Sequence, residues 1–127
     1  MGGAFFHQDT GSTRTDIFEM IVQTQVAFVR GPGFAMIGAL LVEERRNPEL
    51  FELFRERIIR PRRDDEVTVL QRGVDRGELR ADADLEAAVH ALVGSMFARH
   101  TLGTSESRER VEQTVDIIWS GLATSPQ

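Results

Sequence analysis

The chain has 127 residues and a formal charge of −5, with 41% hydrophobic and 28% charged residues, 11 Gly and 4 Pro. That is enough polypeptide for one packed core, and it excludes collagen-like, low-complexity and membrane-embedded classes. Cysteine is absent, which removes disulfides, thiolate nucleophiles and cysteine-based metal sites; an acidic chain is also a poor electrostatic match for phosphate, so direct nucleic-acid binding is not expected.

Residues 1–15 are rich in Gly and Thr, and Asp9-Thr10-Gly11-Ser12 reads as a turn, so an irregular lead-in is expected. From Asp16 a helical pattern runs to about Arg30. Ile17, Ile21 and Phe28 form one stripe, with Phe18, Val22 and Val29 on another, and Gly31-Pro32-Gly33 stops it. Two apolar stripes predict a helix buried on more than one face. Phe34 to Arg46 resumes through Ile37, Leu40 and Leu41, ending on Arg45 and Arg46 at the negative end of the helix dipole. Asn47-Pro48 supplies a cap and a first-turn proline for the next helix, which carries Leu50, Phe51, Phe54 and Ile58.

Pro61 is predicted to break or kink that helix, because it lacks the N–H that the ladder needs. The pattern continues through Val67, Leu70 and Val74, and Gly77 suits the position just past the helix end. In the connector Glu78–Asp84, either Asp82 or Asp84 can cap the next helix, whose stripe runs from Leu85 through Val89 and Leu92 to Met96 and Phe97. It ends near Leu102-Gly103, and Thr104–Ser107 forms the last loop. Val111, Val115, Ile118 and Leu122 make a narrow seam on the final helix beside Trp119, with residues 124–127 as a frayed tail. No strand pattern or repeat is present. The chain therefore reads as all-α, a single bundle of about five or six helices over residues 16–123.

Candidate chemistry is sparse. His7, His90 and His100 are too scattered for a metal site, and His90 reads as a solvated or rim residue. Asp64, Asp65 and Glu66 beside Arg62 and Arg63 read as a solvated charged face. The basic cluster Arg55, Arg57, Arg60, Arg62 and Arg63 is interleaved with acids and reads as locally neutralised. No serine sits in a nucleophile setting, so no enzyme activity, metal or cofactor is expected.

The apolar residues are more informative. Phe18, Ile21, Phe28, Ile37, Leu41, Phe51, Phe54, Ile58, Leu70, Met96 and Phe97 come from different helices and are core by the plain reading. A helix bent at Pro61 cannot pack flush along its length, so some of them could line a gap that accepts a hydrophobic small molecule. His100 reads either as a satisfied helix-end histidine or as a hydrogen-bonding group inside that pocket. Gly94, Ser95 and Ala98 permit close helix approach. The seam Val111, Val115, Ile118 and Leu122 with Trp119 either packs within the chain or joins two copies in a four-helix bundle.

From Asp9 onward the chain resembles the C-terminal domain of TetR-type (tetracycline-repressor-like) transcriptional regulators. Four stretches carry the resemblance: Asp9-Thr10-Gly11-Ser12 with Arg14 and Asp16; Arg60-Pro61-Arg62-Arg63; Arg76-Gly77-Glu78-Leu79-Arg80 with Asp82 and Asp84; and Leu92-Val93-Gly94 with Arg99. The chain departs from the pattern at Ser95, Phe97 and Ala98, where proline and aromatic residues are usual, so ligand chemistry is not carried over.

The resemblance implies an effector-binding and dimerisation domain that forms a homodimer through its last two helices and takes a hydrophobic small molecule. DNA would be reached only through a helix-turn-helix domain, for which the dozen residues before the first helix leave no room. The alternative is a free-standing helical interaction protein that dimerises with a full-length regulator. No apolar run approaches the roughly 18 residues of a spanning helix, and the N-terminus lacks a signal-peptide pattern, so a cytoplasmic location without membrane attachment is expected. The exclusive use of arginine as the basic residue hints at a GC-rich bacterial genome.

Overall fold

The computed structural model describes residues 9–104 and 107–124. His7 and the rest of residues 1–8, positions 105 and 106 of the last loop, and residues 125–127 of the tail lie outside the described residues.

Among the described residues, six α-helices follow in chain order: α1 (Thr13–Gln25), α2 (Gly33–Glu43), α3 (Pro48–Phe54), α4 (Arg60–Asp75), α5 (Leu85–Leu102) and α6 (Arg108–Leu122). Helix α1 starts three residues earlier than its apolar pattern, because Ser12 is the cap: its hydroxyl accepts from the Thr15 N–H at 3.2 Å. Asp84, not Asp82, caps α5 by accepting from the Ala87 N–H at 3.0 Å, and Ser107 caps α6 in the same way through Arg110. Asn47 makes no side-chain cap bond to α3. Helix α2 stops at Glu43, and Arg45 and Arg46 fall in the turn that follows.

Two wide π-helical turns interrupt the pattern. Val26–Arg30 prolongs α1, and Arg55–Ile59 joins α3 to α4. The second lies one turn before Pro61, whose missing N–H and bulky ring are incompatible with a regular ladder at that point. The chain absorbs the proline by opening the helix to an i→i+5 bond, Arg60 N–H to the Arg55 carbonyl, and the α-ladder resumes at once. At the end of α4, Gly77 takes φ +80°, and Glu78 N–H reaches the Gly73 carbonyl at 2.9 Å while Gly77 N–H reaches Val74 at 2.9 Å. This left-handed exit satisfies two of the helix's orphan carbonyls.

Helices α1, α4, α5 and α6 surround the core. Ile17, Ile21, Leu70, Leu92, Met96, Val111 and Val115 are each at most 2% exposed. Leu79 from the connector joins them, and one antiparallel bridge between Leu79 and Ala123 staples that connector to the chain beyond α6. Arg99 ties three helices together: its guanidinium donates to Gln25 Oε1 on α1 (2.9 Å), to Ser95 Oγ on α5 (3.2 Å) and to Thr114 Oγ1 on α6 (3.1 Å). Helix α2 differs from the rest. Its sequence is almost wholly apolar, yet none of its residues is fully buried. It packs on the first wide turn and on α3, at the edge of the bundle.

Candidate functional site

A cavity of about 360 Å³ opens where α2 stands off the four-helix core. Its floor is apolar: Phe28 from the first wide turn, Ile37 from α2, and Val89, Val93 and Phe97 from α5. The aromatic rings form a continuous cluster, with Phe34 4.5 Å from Phe97 and 5.6 Å from Phe28 between centroids, and His100 4.6 Å from Phe34. Ile59, Arg60, Arg62 and Arg63 form the α4 side, and the exposed residues His90 and Gly94 mark the mouth. The two wide turns place this wall. Phe28 lies in the first of these turns and Ile59 in the second, and both line the gap.

One polar group sits deep in the wall. Glu66 is 4% exposed and lines the cavity beside Thr24. Burial pushes its carboxyl up to about 7, against smaller opposing pulls from the Thr24 hydroxyl and the Arg62 charge. Arg62, one turn earlier, lies with its guanidinium carbon 5.2 Å from the centre of the Phe28 ring, and burial lowers its pKa from the ordinary arginine value. The arginines nearer solvent are paired: Arg63 with Glu86 at 2.6 Å, and Arg60 with Glu56 and Glu52.

This corrects the reading of residues 64–66 as one solvated face. Asp64 is exposed and Asp65 half-buried, but Glu66 faces inward, four residues before Leu70 on the buried stripe of α4. Local neutralisation of the arginine cluster is seen in the Arg55–Glu52, Arg60–Glu56 and Arg63–Glu86 pairs.

The residues expected at a pocket are divided by the fold. Ile37 and Phe97 line the cavity. Phe18, Ile21, Leu70 and Met96 are buried in the core and do not reach it. Leu41 is 54% exposed on the outer face of α2. Phe54 and Ile58 are half-buried outside the wall, the neighbouring Ile59 taking the inward position, and His100 stacks on Phe34 at the end of α5. Phe28, one of the apolar set, also lines the cavity, whereas Thr24, Val89 and Val93 are wall residues that the sequence does not single out, although Val89 belongs to an apolar stripe visible there.

The seam expected at a dimer interface also divides. Val111 and Val115 are 0% and 1% exposed, and Leu122 is buried, so these three are consumed by the chain's own core. Ile118 and Trp119 are half-buried against that core. The outward face of α5 and α6 instead presents Ala91, Gly94, Ala98, Leu102 and Ile117, the last 72% exposed, with Ser95 half-buried among them.

The end of α4 remote from the cavity grips the lead-in. Asp16, 5% exposed, accepts from the Thr10 hydroxyl at 2.7 Å and from Arg72 Nη2 at 3.4 Å. Arg76 donates to the Asp9 carboxylate and to Thr13 Oγ1, and Thr13 in turn donates to Glu78 Oε1 at 2.6 Å. Hydrogen bonds from Arg76 and from the Gly11 N–H, helped by the Arg76 charge, hold the Asp9 carboxyl below the usual carboxylate range.

Among the described residues there is no cluster of three metal-ligating side chains, and no single helix is long and apolar enough to cross a membrane. The described elements make an all-α helical bundle. Residues 7–118 match the family described as the tetracyclin repressor-like C-terminal domain. The chain is also 32% identical over 92 residues to the uncharacterized HTH-type transcriptional regulator YdeS of Bacillus subtilis (strain 168), a stretch covering 72% of this chain and 46% of that protein. The matched stretch thus spans about half the length of that relative. The chain belongs to the tetracyclin repressor-like C-terminal domain family, a non-enzymatic family of transcriptional regulators.

Proposed function

We propose that this chain is the effector-binding and dimerisation part of a TetR-type transcriptional regulator, taking a largely hydrophobic small molecule in the cavity between α2, α4 and α5. The observation that carries the reading is the cavity itself: an apolar, aromatic-walled space of about 360 Å³, left open at one mouth, in a chain small enough to close it by packing. Pockets of this size suit small organic molecules, and apolar walls with few polar groups set their orientation. Pairing of two copies would use the outward face of α5 and α6, where Ala91, Gly94 and Ala98 allow close approach around Ile117. DNA would be contacted by a helix-turn-helix domain joined before Asp9, in the cytoplasm. Effector occupancy would act there only by favouring one position of that domain over another.

The test uses the neutral fluorophore N-phenyl-1-naphthylamine, which brightens in apolar surroundings. The wild-type chain is expected to enhance its emission. Val93→Trp, which fills the cavity, is expected to abolish the enhancement while helix content by circular dichroism stays unchanged. No enhancement by the wild type, or equal enhancement by Val93→Trp, overturns the reading.

A further inference from the structure

The cavity has an apolar body and one deep acid, and the hydrogen bonding of that acid is incomplete. The single proton of the Thr24 hydroxyl has two acceptors, the Met20 carbonyl at 3.0 Å and Glu66 Oε2 at 3.4 Å. The nearer one takes it in the better geometry. Glu66 therefore sits 4% exposed with one long hydrogen bond, against a general rule that buried carboxylates are paired or well hydrogen-bonded. The wall also already supports a cation on an aromatic face, since the Arg62 guanidinium stands over Phe28. At the mouth, Arg60 and Arg63 have carboxylate partners in Glu56 and Glu86. An anionic ligand would thus find paired arginines at the mouth and the Glu66 carboxyl deep in the wall, with Arg62 engaged on the Phe28 face.

Resting on the effector reading above, we infer that the ligand is an organic monocation: an apolar body held between Phe28, Ile37, Val93 and Phe97, with a protonated amine directed at the Glu66 carboxylate. The amine supplies the donor and the charge that Thr24 leaves wanting. The aromatic rings stabilise the same charge through their faces. Arg62 moves aside or stays over Phe28 as the head group enters, and the apolar body accounts for the rest of the affinity.

Three probes of one skeleton test this: 4-phenylbutylammonium, 4-phenylbutanol and 4-phenylbutyrate, titrated calorimetrically into the full chain. The ammonium is expected to bind roughly tenfold tighter than the other two. Glu66→Gln is expected to bring the ammonium down to the level of the alcohol and leave the alcohol where it was. A second measurement needs no variant. The groups facing Glu66 are Arg62 and Asp65 on α4, Thr24 on α1, and, around the mouth, Arg60, Arg63 and His90. Between about pH 8 and pH 5.5 the ammonium is expected to weaken roughly tenfold as Glu66 takes up a proton, with the alcohol unaffected. Equal binding of all three, or tightest binding of the carboxylate, overturns the cation inference while leaving the effector cavity standing. Failure of all three to bind at millimolar concentration overturns both.

Discussion

Arg72 Nη2 stands 3.4 Å from the carboxylate of Asp16, and this contact fastens the last turns of α4 to the first turn of α1. Asp16 is 5% exposed, and its other partners are the backbone and hydroxyl of Thr10. One buried carboxylate therefore fixes the path of the lead-in and neutralises an arginine on another helix.

Asp16→Ala is expected to cost about 2–3 kcal/mol, because it leaves the partly buried Arg72 guanidinium with only the more distant Asp9 carboxylate, 4.0 Å from its Nε. Asp16→Asn, which keeps the acceptor for Thr10, should lose less. Urea unfolding of the two variants checks the order. Hydrogen exchange should show residues 10–15 opening in Asp16→Ala before the core does. Equal stabilities would mean that Asp16 is only spatially close to Arg72.

Glu66 makes stability depend on pH in a defined direction. Its carboxyl is pushed up to about 7, against 4.5 when solvated. Below about 4.5 the group is protonated in both folded and unfolded chains and costs nothing. Above that the unfolded chain ionises first, so stability falls as pH rises until the folded group has also ionised near 7. The loss is bounded by the shift, at up to about 3 kcal/mol. Glu66→Gln should be more stable than wild type at pH 8, with the difference shrinking towards pH 4.5. A urea-midpoint difference that is flat across this range would contradict the burial argument.

Two glycines give opposite expectations. A Cβ at Gly73 would meet Thr13 Cγ2 at 2.8 Å and Leu79 Cδ1 at 3.0 Å, where α4 and α1 approach most closely. Gly73→Ala should destabilise by about 1–3 kcal/mol. A Cβ at Gly94 meets nothing within 4 Å, so Gly94→Ala should stabilise the protomer by about 0.5–1 kcal/mol through helix propensity alone. Thermal melts decide both signs.

Pairing through α5 and α6 is tested at the surface and not in the seam. Ile117→Glu with Ala98→Arg places charge on residues that are exposed in the protomer, so folding is spared. Light scattering should show monomers for the double variant and dimers for the wild type. A dimer that survives the pair of charges would place the interface elsewhere.

Much of the fold is legible from residue spacing. The apolar stripe of α5, the glycine after α4 and the seam of α6 each declare their elements, because helix periodicity and left-handed exits depend on local chemistry. The wide turns are not legible. Pro61 announces a disturbance at the start of α4, but the extra residue is taken up earlier, at Arg55–Ile59, where nothing in the side chains marks it. The cavity inherits this difficulty. Ile37 and Phe97 lie on recognisable stripes, whereas the choice of Ile59 over Ile58 as a wall residue depends on the phase of that turn. Glu66 was obscured by its neighbours Asp64 and Asp65. Its spacing from Ile59 and Leu70 puts it on the inner stripe, a signal that outweighs the appearance of a charge run.

The uninterrupted stretch of α4 runs from the floor of the chamber to the grip on the lead-in. At about 1.5 Å per residue, its 16 residues make a stiff strut roughly 24 Å long. Its connection to α3 is the wide turn Arg55–Ile59. On the effector reading proposed above, a guest seated against Arg62 and Glu66 would press on the same helix that carries Arg72 and Arg76. One helix thus joins the cavity wall at Glu66 to the grip on the lead-in at Arg72 and Arg76.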